Sequence, residues 1–170
     1  MDSMVNHYTA NIRLRSNDAY TAGGKAGFRP DYAATVYCQI LKRLYPHVPV
    51  VVGGIEASLR RLTHYDYWSD RLKPSMLIES GADLLIYGMG ERVVQQVAKA
   101  MRNGYNAKLL RKINQVAFVA DSSYVERLDP ATTKILHSFE ECQQDKRAFG
   151  ENFVEEELLS NVMEPTTTLV

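Results

Sequence analysis

Three observations predict an α/β fold in which a parallel sheet lies between layers of helix. Val50, Val51 and Val52 form a β-branched run with no polar alternation, which suits a strand covered on both faces. Gly53 and Gly54 end that run, and Ile55, Leu59 and Leu62 follow at helical spacing, so the order is strand, tight turn, helix. Leu84 opens a second apolar strand, within Ala82-Asp83-Leu84-Leu85-Ile86-Tyr87, 34 residues after Val50. That is the length of a βαβ unit, whose crossover leaves its two strands parallel.

Each further element follows in turn. Residues 1–28 are polar and irregular, and they close on Thr21-Ala22-Gly23-Gly24-Lys25-Ala26-Gly27. Glycines so placed can aim bare N–H groups at an anion, or simply form a surface loop. Lys25 is followed by Ala26 rather than by Ser or Thr, so this is not a nucleotide P-loop. Pro30 and Asp31 suit a helix start. Ala33, Val36, Tyr37, Ile40, Leu41 and Leu44 then form an apolar stripe that predicts a helix over 31–45, packed on the sheet and stopped by Pro46. Residues 63–71 mix three aromatics with His64, Asp66 and Asp70, a loop beyond the C-terminal end of a strand, where open α/β sheets place ligands. Pro74 begins a short helix capped by Gly81. Gly88-Met89-Gly90-Glu91 ends the second strand and leads into a helix over 91–102 with Val93, Val94, Val97 and Met101 inward. A third strand over 115–120 and the turn residues Asp121, Ser122 and Ser123 predict a hairpin with 124–127 at an antiparallel edge. A strand over 134–139, one last helix carrying Phe139, Cys142, Phe149 and Phe153, and an extended tail complete the chain. The expected organisation is a single α/β domain over 1–170, with an irregular segment at 1–28, a βαβ core at 29–104, and edge strands with a helix at 105–170.

Composition excludes several functions. Hydrophobic residues make up 45% and charged residues 24% of 170, ordinary for a globular domain. Twenty basic and twenty acidic side chains cancel without a basic run, which leaves no electrostatic footprint for nucleic acid or an anionic membrane. No apolar run reaches the ~18 residues of a membrane span, and a cytoplasmic location is expected. Cys38 and Cys142 form neither a C-x-x-C pair nor a disulfide framework, and His64 with Asp66 lacks the spacing and third partner of a metal site.

Both strands end in glycines followed by an acid near a helix start, Glu56 and Glu91. Those carboxylates are favourable against the helix dipole and would repel a pyrophosphate, which argues for a neutral or hydroxyl-bearing ligand, or none. Capping alone also explains them. The candidate ligand- or domain-facing surface is therefore the C-terminal edge of the strands: Gly53, Gly54, Glu56, Gly88, Gly90 and Glu91, walled by Arg60, His64 and Trp68. No catalytic or metal-ligating residue is assigned.

Val-Val-Gly-Gly-Ile-Glu-Ala-Ser-Leu-Arg-Arg (51–61), His-Tyr-Asp-Tyr-Trp-Ser-Asp (64–70), Met-Asp-Ser-Met-Val-Asn (1–6) and Asp-Lys-Arg-Ala-Phe (145–149) closely resemble the YgiQ-type radical SAM proteins of bacteria. The resemblance spans essentially the whole chain. It implies the region preceding a radical SAM barrel, similar to the Rossmann-like, cobalamin-binding-like α/β domain found ahead of such barrels. It further implies that this is a fragment of a longer polypeptide, that residues before Met1 add strands to an incomplete sheet, and that the barrel of the same polypeptide is the partner. The barrel's C-x-x-x-C-x-x-C, which holds a four-iron four-sulfur ([4Fe–4S]) cluster and S-adenosylmethionine, is missing here, as is the D-x-H-x-x-G that ligates cobalamin. The expected function is an accessory domain of a radical SAM enzyme of unknown substrate, with no cofactor bound by this chain. A free-standing small-molecule-binding module and a structural interaction domain are the rivals.

Overall fold

The computed structural model of the chain describes residues 17–19, 21–104, 110–160, 162 and 166–170. In chain order they form α1 (Ala33–Leu44), β1 (Val51–Gly53), α2 (Ile55–Leu59), β2 (His64–Asp66), β3 (Arg71–Lys73), α3 (Met76–Ser80), β4 (Leu84–Ile86), α4 (Glu91–Arg102), β5 (Val116–Ala117), α5 (Ser122–Val125), β6 (Thr133–Lys134), α6 (Phe139–Gln144), α7 (Lys146–Ser160) and β7 (Thr168–Leu169). This is a mixed α/β architecture. The chain divides into two compact units, one taking residues up to His64 together with Pro74–Val119, the other Tyr65–Lys73 together with Ala120–Val170.

In the first unit the sheet order is β1-β4-β5. β1 and β4 are adjacent and parallel, as the βαβ spacing predicts, in the register Val51↔Leu84, Val52↔Leu85 and Gly53↔Ile86. β5 runs antiparallel to β4, the expected antiparallel edge. Successive strand residues point to opposite faces, and β4 uses both. Leu84 and Ile86 join Val93, Val97 and Leu110 in one cluster. Leu85 joins Val52, Cys38, Ala57, Met76, Leu77 and Ala82 in the other. The strand starts are tied by Asp83, whose carboxylate accepts the Val50 N–H at 2.7 Å and pairs with Lys42 Nζ at 2.9 Å. α3 is capped by the Ser75 hydroxyl and stopped by left-handed Gly81.

The predicted packing of α1 is corrected. The helix buries Ala33, Thr35 and Cys38, while Tyr37, Leu41 and Leu44 of the predicted stripe are exposed. The residues that meet the other elements decide this orientation. Gln39 donates to the Glu79 carbonyl at 2.7 Å, Lys42 reaches Asp83, and the small Ala34 and Cys38 fit against the strand cluster. Ahead of α1, Asp18 pairs with buried Arg29 at 2.5 Å, and the Thr21 hydroxyl closes the glycine loop onto the Asp18 and Lys25 carbonyls.

The second unit differs most from expectation. Residues 64–70 include a strand, with β2 pairing β3 across a turn, rather than a loop. The predicted hairpin partner at 124–127 is not a strand: Asp121 accepts the Tyr124 N–H at 2.8 Å and starts α5 instead. The predicted 134–139 strand shrinks to β6, which pairs in parallel with β7 of the expected loose tail. One last helix becomes two, because Asp145 leaves helical geometry and accepts the Arg147 N–H at 2.8 Å. Asn152 joins them: its amide donates to the His137 carbonyl at 2.9 Å and to Cys142 Sγ at 3.3 Å. A capping box links Ser138 and Glu141, and the Ser138 N–H holds the Glu141 carboxyl below the usual carboxylate range. That contribution is complete at neutral pH and fades as acid protonates the folded-state carboxyl.

Leu85 is fully buried at the centre of its cluster. Leu85→Ala should lower the unfolding free energy by about 3 kcal/mol in urea titration, as expected for a buried leucine whose cavity cannot collapse; a loss under about 1 kcal/mol would contradict this core.

Candidate functional site

The C-terminal edge of β1 and β4 is built by two glycine turns. Gly53 lies opposite Ile86, and a Cβ there would meet the Ile86 carbonyl oxygen at 3.2 Å, tighter than ordinary van der Waals contact, so the close pairing of the strand ends favours glycine. Gly54 caps α2 with φ +94°, a conformation that only glycine adopts without strain. Ser58, one turn along α2, then joins the two turns. Its hydroxyl donates to the Gly54 carbonyl at 2.8 Å and accepts the Gly88 N–H at 3.0 Å. Gly90 precedes α4 with Ile86 beneath it, and Glu91 is exposed at the head of that helix. The sequence therefore brings Gly53, Gly54, Gly88 and Gly90 to one edge.

The charged candidates sit elsewhere in the same unit. Glu56 and Arg60 are both buried and pair at 3.3 Å one helical turn apart, with the Arg60 guanidinium 5.4 Å from the Tyr32 ring centroid. The Arg60 carbonyl accepts the Met76 N–H at 2.8 Å, which fixes the start of α3. His64 is also buried, with Nδ1–H donating to the Leu62 carbonyl at 3.2 Å. Trp68 belongs to the second unit, in the turn between β2 and β3.

Two residues at the edge, Ser58 and Tyr87, escaped the sequence reading. Arg61, which the sequence offered beside Arg60 and His64 as a residue that could serve such a site, links them: it donates to the Ser58 carbonyl at 2.6 Å, and its guanidinium lies 5.0 Å from the Tyr87 ring centroid. The signal for Ser58 was its place four residues after Gly54, where a hydroxyl can reach back to a free carbonyl of the preceding turn. Apolar side chains surround this polar link: Ile55 is 71% exposed, Leu59 69% and Met89 78%. The face combines backbone, one stacked guanidinium and exposed aliphatic surface.

Among the described residues no three His, Cys, Asp or Glu side chains gather to hold a metal. The two thiols do not fit an iron–sulfur cluster either. Cys38 and Cys142 lie in different units, and burial pushes both thiols up, away from the thiolate a cluster needs. No described helix is long and apolar enough to cross a membrane.

Glu56 and Arg60 generate a clear expectation for stability. Glu56→Ala removes one partner of a buried pair and should cost about 3 kcal/mol in chemical denaturation, whereas Glu91→Ala on the exposed helix head should cost under about 0.5 kcal/mol. Equal effects would contradict the inward placement of Glu56.

A UPF0313 protein of Porphyromonas gingivalis is 53% identical over 161 residues, covering 95% of this chain and 25% of its own length. One from Bacteroides thetaiotaomicron is 50% identical, covering 92% of this chain and 27% of its own length. One from Pseudomonas putida is 53% identical over 119 residues, 70% of this chain and 16% of the relative. The chain thus spans about a quarter of the length of the first two of these relatives. No solved structure matches it. The radical SAM N-terminal family matches residues 1–169, and with that coverage the chain belongs to this family, as its resemblance to the YgiQ-type radical SAM proteins implied.

Proposed function

We propose that this chain is the accessory N-terminal part of a radical SAM enzyme, working in the cytoplasm and built as a Rossmann-like, cobalamin-binding-like domain that takes no cobalamin. The observation that carries the reading is the family match over residues 1–169 in a chain that makes up only about a quarter of relatives aligned along almost all of it. The [4Fe–4S] cluster and S-adenosylmethionine belong to the barrel elsewhere in the longer polypeptide, since this chain supplies two buried cysteines rather than three clustered thiolates. The substrate is set by that barrel and its surroundings.

On this reading Gly53, Gly54, Gly88 and Gly90 form the floor of the face turned toward the barrel or its ligand. Glu91 borders it, and Glu56, Arg60 and His64 support it from within. Support comes from the two glycine turns held together by Ser58 and from the exposed Ile55, Leu59 and Met89 beside them.

Anaerobic reconstitution with iron and sulfide should give the full-length polypeptide a visible cluster band and the ability to cleave S-adenosylmethionine, while residues 1–170 alone stay colourless. A stable cluster in the short chain, or none in the full-length protein, would refute the assignment, and the latter would favour a free-standing small-molecule-binding module. Gly54→Val forces a β-branched residue to φ +94°, at a cost of about 1–3 kcal/mol. Met89→Asp leaves the backbone untouched and should lower full-length activity at least fivefold with little change in melting temperature. If Met89→Asp, Glu56→Ala and His64→Ala all leave activity unchanged, this face has no part in function.

A further inference from the structure

The charges of the chain cancel in total, yet the two units do not share them evenly. Fourteen of the twenty lysines and arginines, but only seven of the twenty aspartates and glutamates, fall in the first unit, which leaves it seven positive charges in excess and the second unit seven negative ones. A surplus of one sign becomes a local field where its side chains gather on one face. Here they gather on α4. Arg92, Gln96, Lys99 and Asn103 recur at steps of four, three and four along one side of the helix, with Arg102 beside Asn103, while Val93 and Val97 are buried on the other. Lys112 joins Lys99 at an open cavity of about 540 Å³, whose remaining polar lining is the amides of Gln96, Asn103 and Asn114. Among the described residues no carboxylate lines it.

Folding alone does not account for this set. Lys99 and Arg102 suit the C-terminal end of a helix dipole, but Arg92 stands in the first turn, where the dipole disfavours a cation, and Lys112 lies outside the helix. Arg29, Lys42, Arg60 and Lys134 each pair with a carboxylate, whereas among the described residues Arg92, Lys99, Arg102 and Lys112 pair with none. Glu91 is the one acid of α4 and precedes the row at the helix head. The segment 105–109, Tyr-Asn-Ala-Lys-Leu, adds a lysine and no acid, and residues 1–16 hold two arginines against one aspartate, so the remainder of the unit brings too few carboxylates to neutralise the face. Arg92 and Arg102 are about 15 Å apart along the helix axis. A single phosphate reaches one or two of these cations, while a strand that repeats its charge along its length reaches them all.

We infer that this side of α4, with Lys112 and Asn114, binds a nucleic-acid strand. The four cations hold successive phosphates, and the amides of Gln96, Asn103 and Asn114 offer donors and acceptors to sugars or base edges. The inference stands apart from the radical SAM reading, which rests on the family match and the glycine turns. Net charge conceals such a surface, because the cations are cancelled by acids of the second unit and lie three to ten positions apart rather than in a run.

Fluorescence anisotropy with the full-length polypeptide and a labelled single-stranded RNA of mixed sequence tests it. Two pairs of substitutions are made at exposed side chains, Lys99→Gln with Lys112→Gln and Arg92→Gln with Arg102→Gln, so that a folding defect in one pair, seen by thermal melting, leaves the other to decide. Arg43→Gln, on the exposed side of α1, removes a cation of the same unit and serves as the reference. The parent should bind with an affinity that falls as salt rises. Each pair should weaken binding about tenfold at low salt and flatten the slope of log affinity against log salt by about 0.7 for each cation removed, while Arg43→Gln stays within about twofold of the parent. No binding by the parent, or binding that neither pair weakens more than Arg43→Gln does, overturns the inference. Inorganic phosphate at a matched phosphate concentration should displace the RNA poorly; displacement as strong as by unlabelled RNA overturns the strand in favour of a small phosphorylated ligand. Binding to phosphatidylserine vesicles with none to RNA overturns it in favour of a membrane surface.

Discussion

The parallel pairing of β1 with β4 is the constraint on which the first unit depends. Gly53 passes Ile86 closely enough that a Cβ would meet its carbonyl at 3.2 Å, in the register that also sets Val51 beside Leu84 and Val52 beside Leu85. With the register set, Leu85 and Val52 fall on one face, Leu84 and Ile86 on the other, and two clusters of helix-borne side chains follow from the pleat. The same register brings the turns after both strands to one edge. There a single serine hydroxyl links Gly54 to Gly88, so a three-residue strand pair controls both the core and the candidate surface.

The first half of the fold was legible because its signals are local. A valine run, a glycine pair and a repeat of that pattern one βαβ length later specify two parallel strands without reference to the rest of the chain. The orientation of α1 was not legible. Its strongest periodic stripe is not the face used within the unit, because Ala34 and Cys38 fit the strand cluster and Gln39 and Lys42 find polar partners. Periodicity reports that a helix face must be covered, not what covers it. In the second unit short capping motifs decided the outcome: Asp121 accepts from Ser123 and Tyr124 and starts a helix where a strand was predicted, and Asp145 accepts the Arg147 N–H and divides the predicted last helix in two.

The candidate site divides along the same line. The glycines were readable, since a close approach and a positive φ both need glycine. Glu56 and Arg60 were readable as chemically distinctive but not as partners of each other, because burial of an i,i+4 pair depends on which side of a five-residue helix meets the core. The buried pair and the Ser58 link lie in a chain whose family relatives extend well beyond this region.

The central claim is that contact between the ends of β1 and β4 holds this unit together, and Gly53→Ala tests it with the smallest perturbation available. The added methyl must push against the Ile86 carbonyl, a backbone atom that cannot rotate away. The account predicts a loss of about 1–3 kcal/mol of unfolding free energy, together with faster hydrogen exchange at the Gly88 amide as the link to Ser58 opens. A Gly53→Ala protein within about 0.5 kcal/mol of the parent, with Gly88 exchange unchanged, would contradict it.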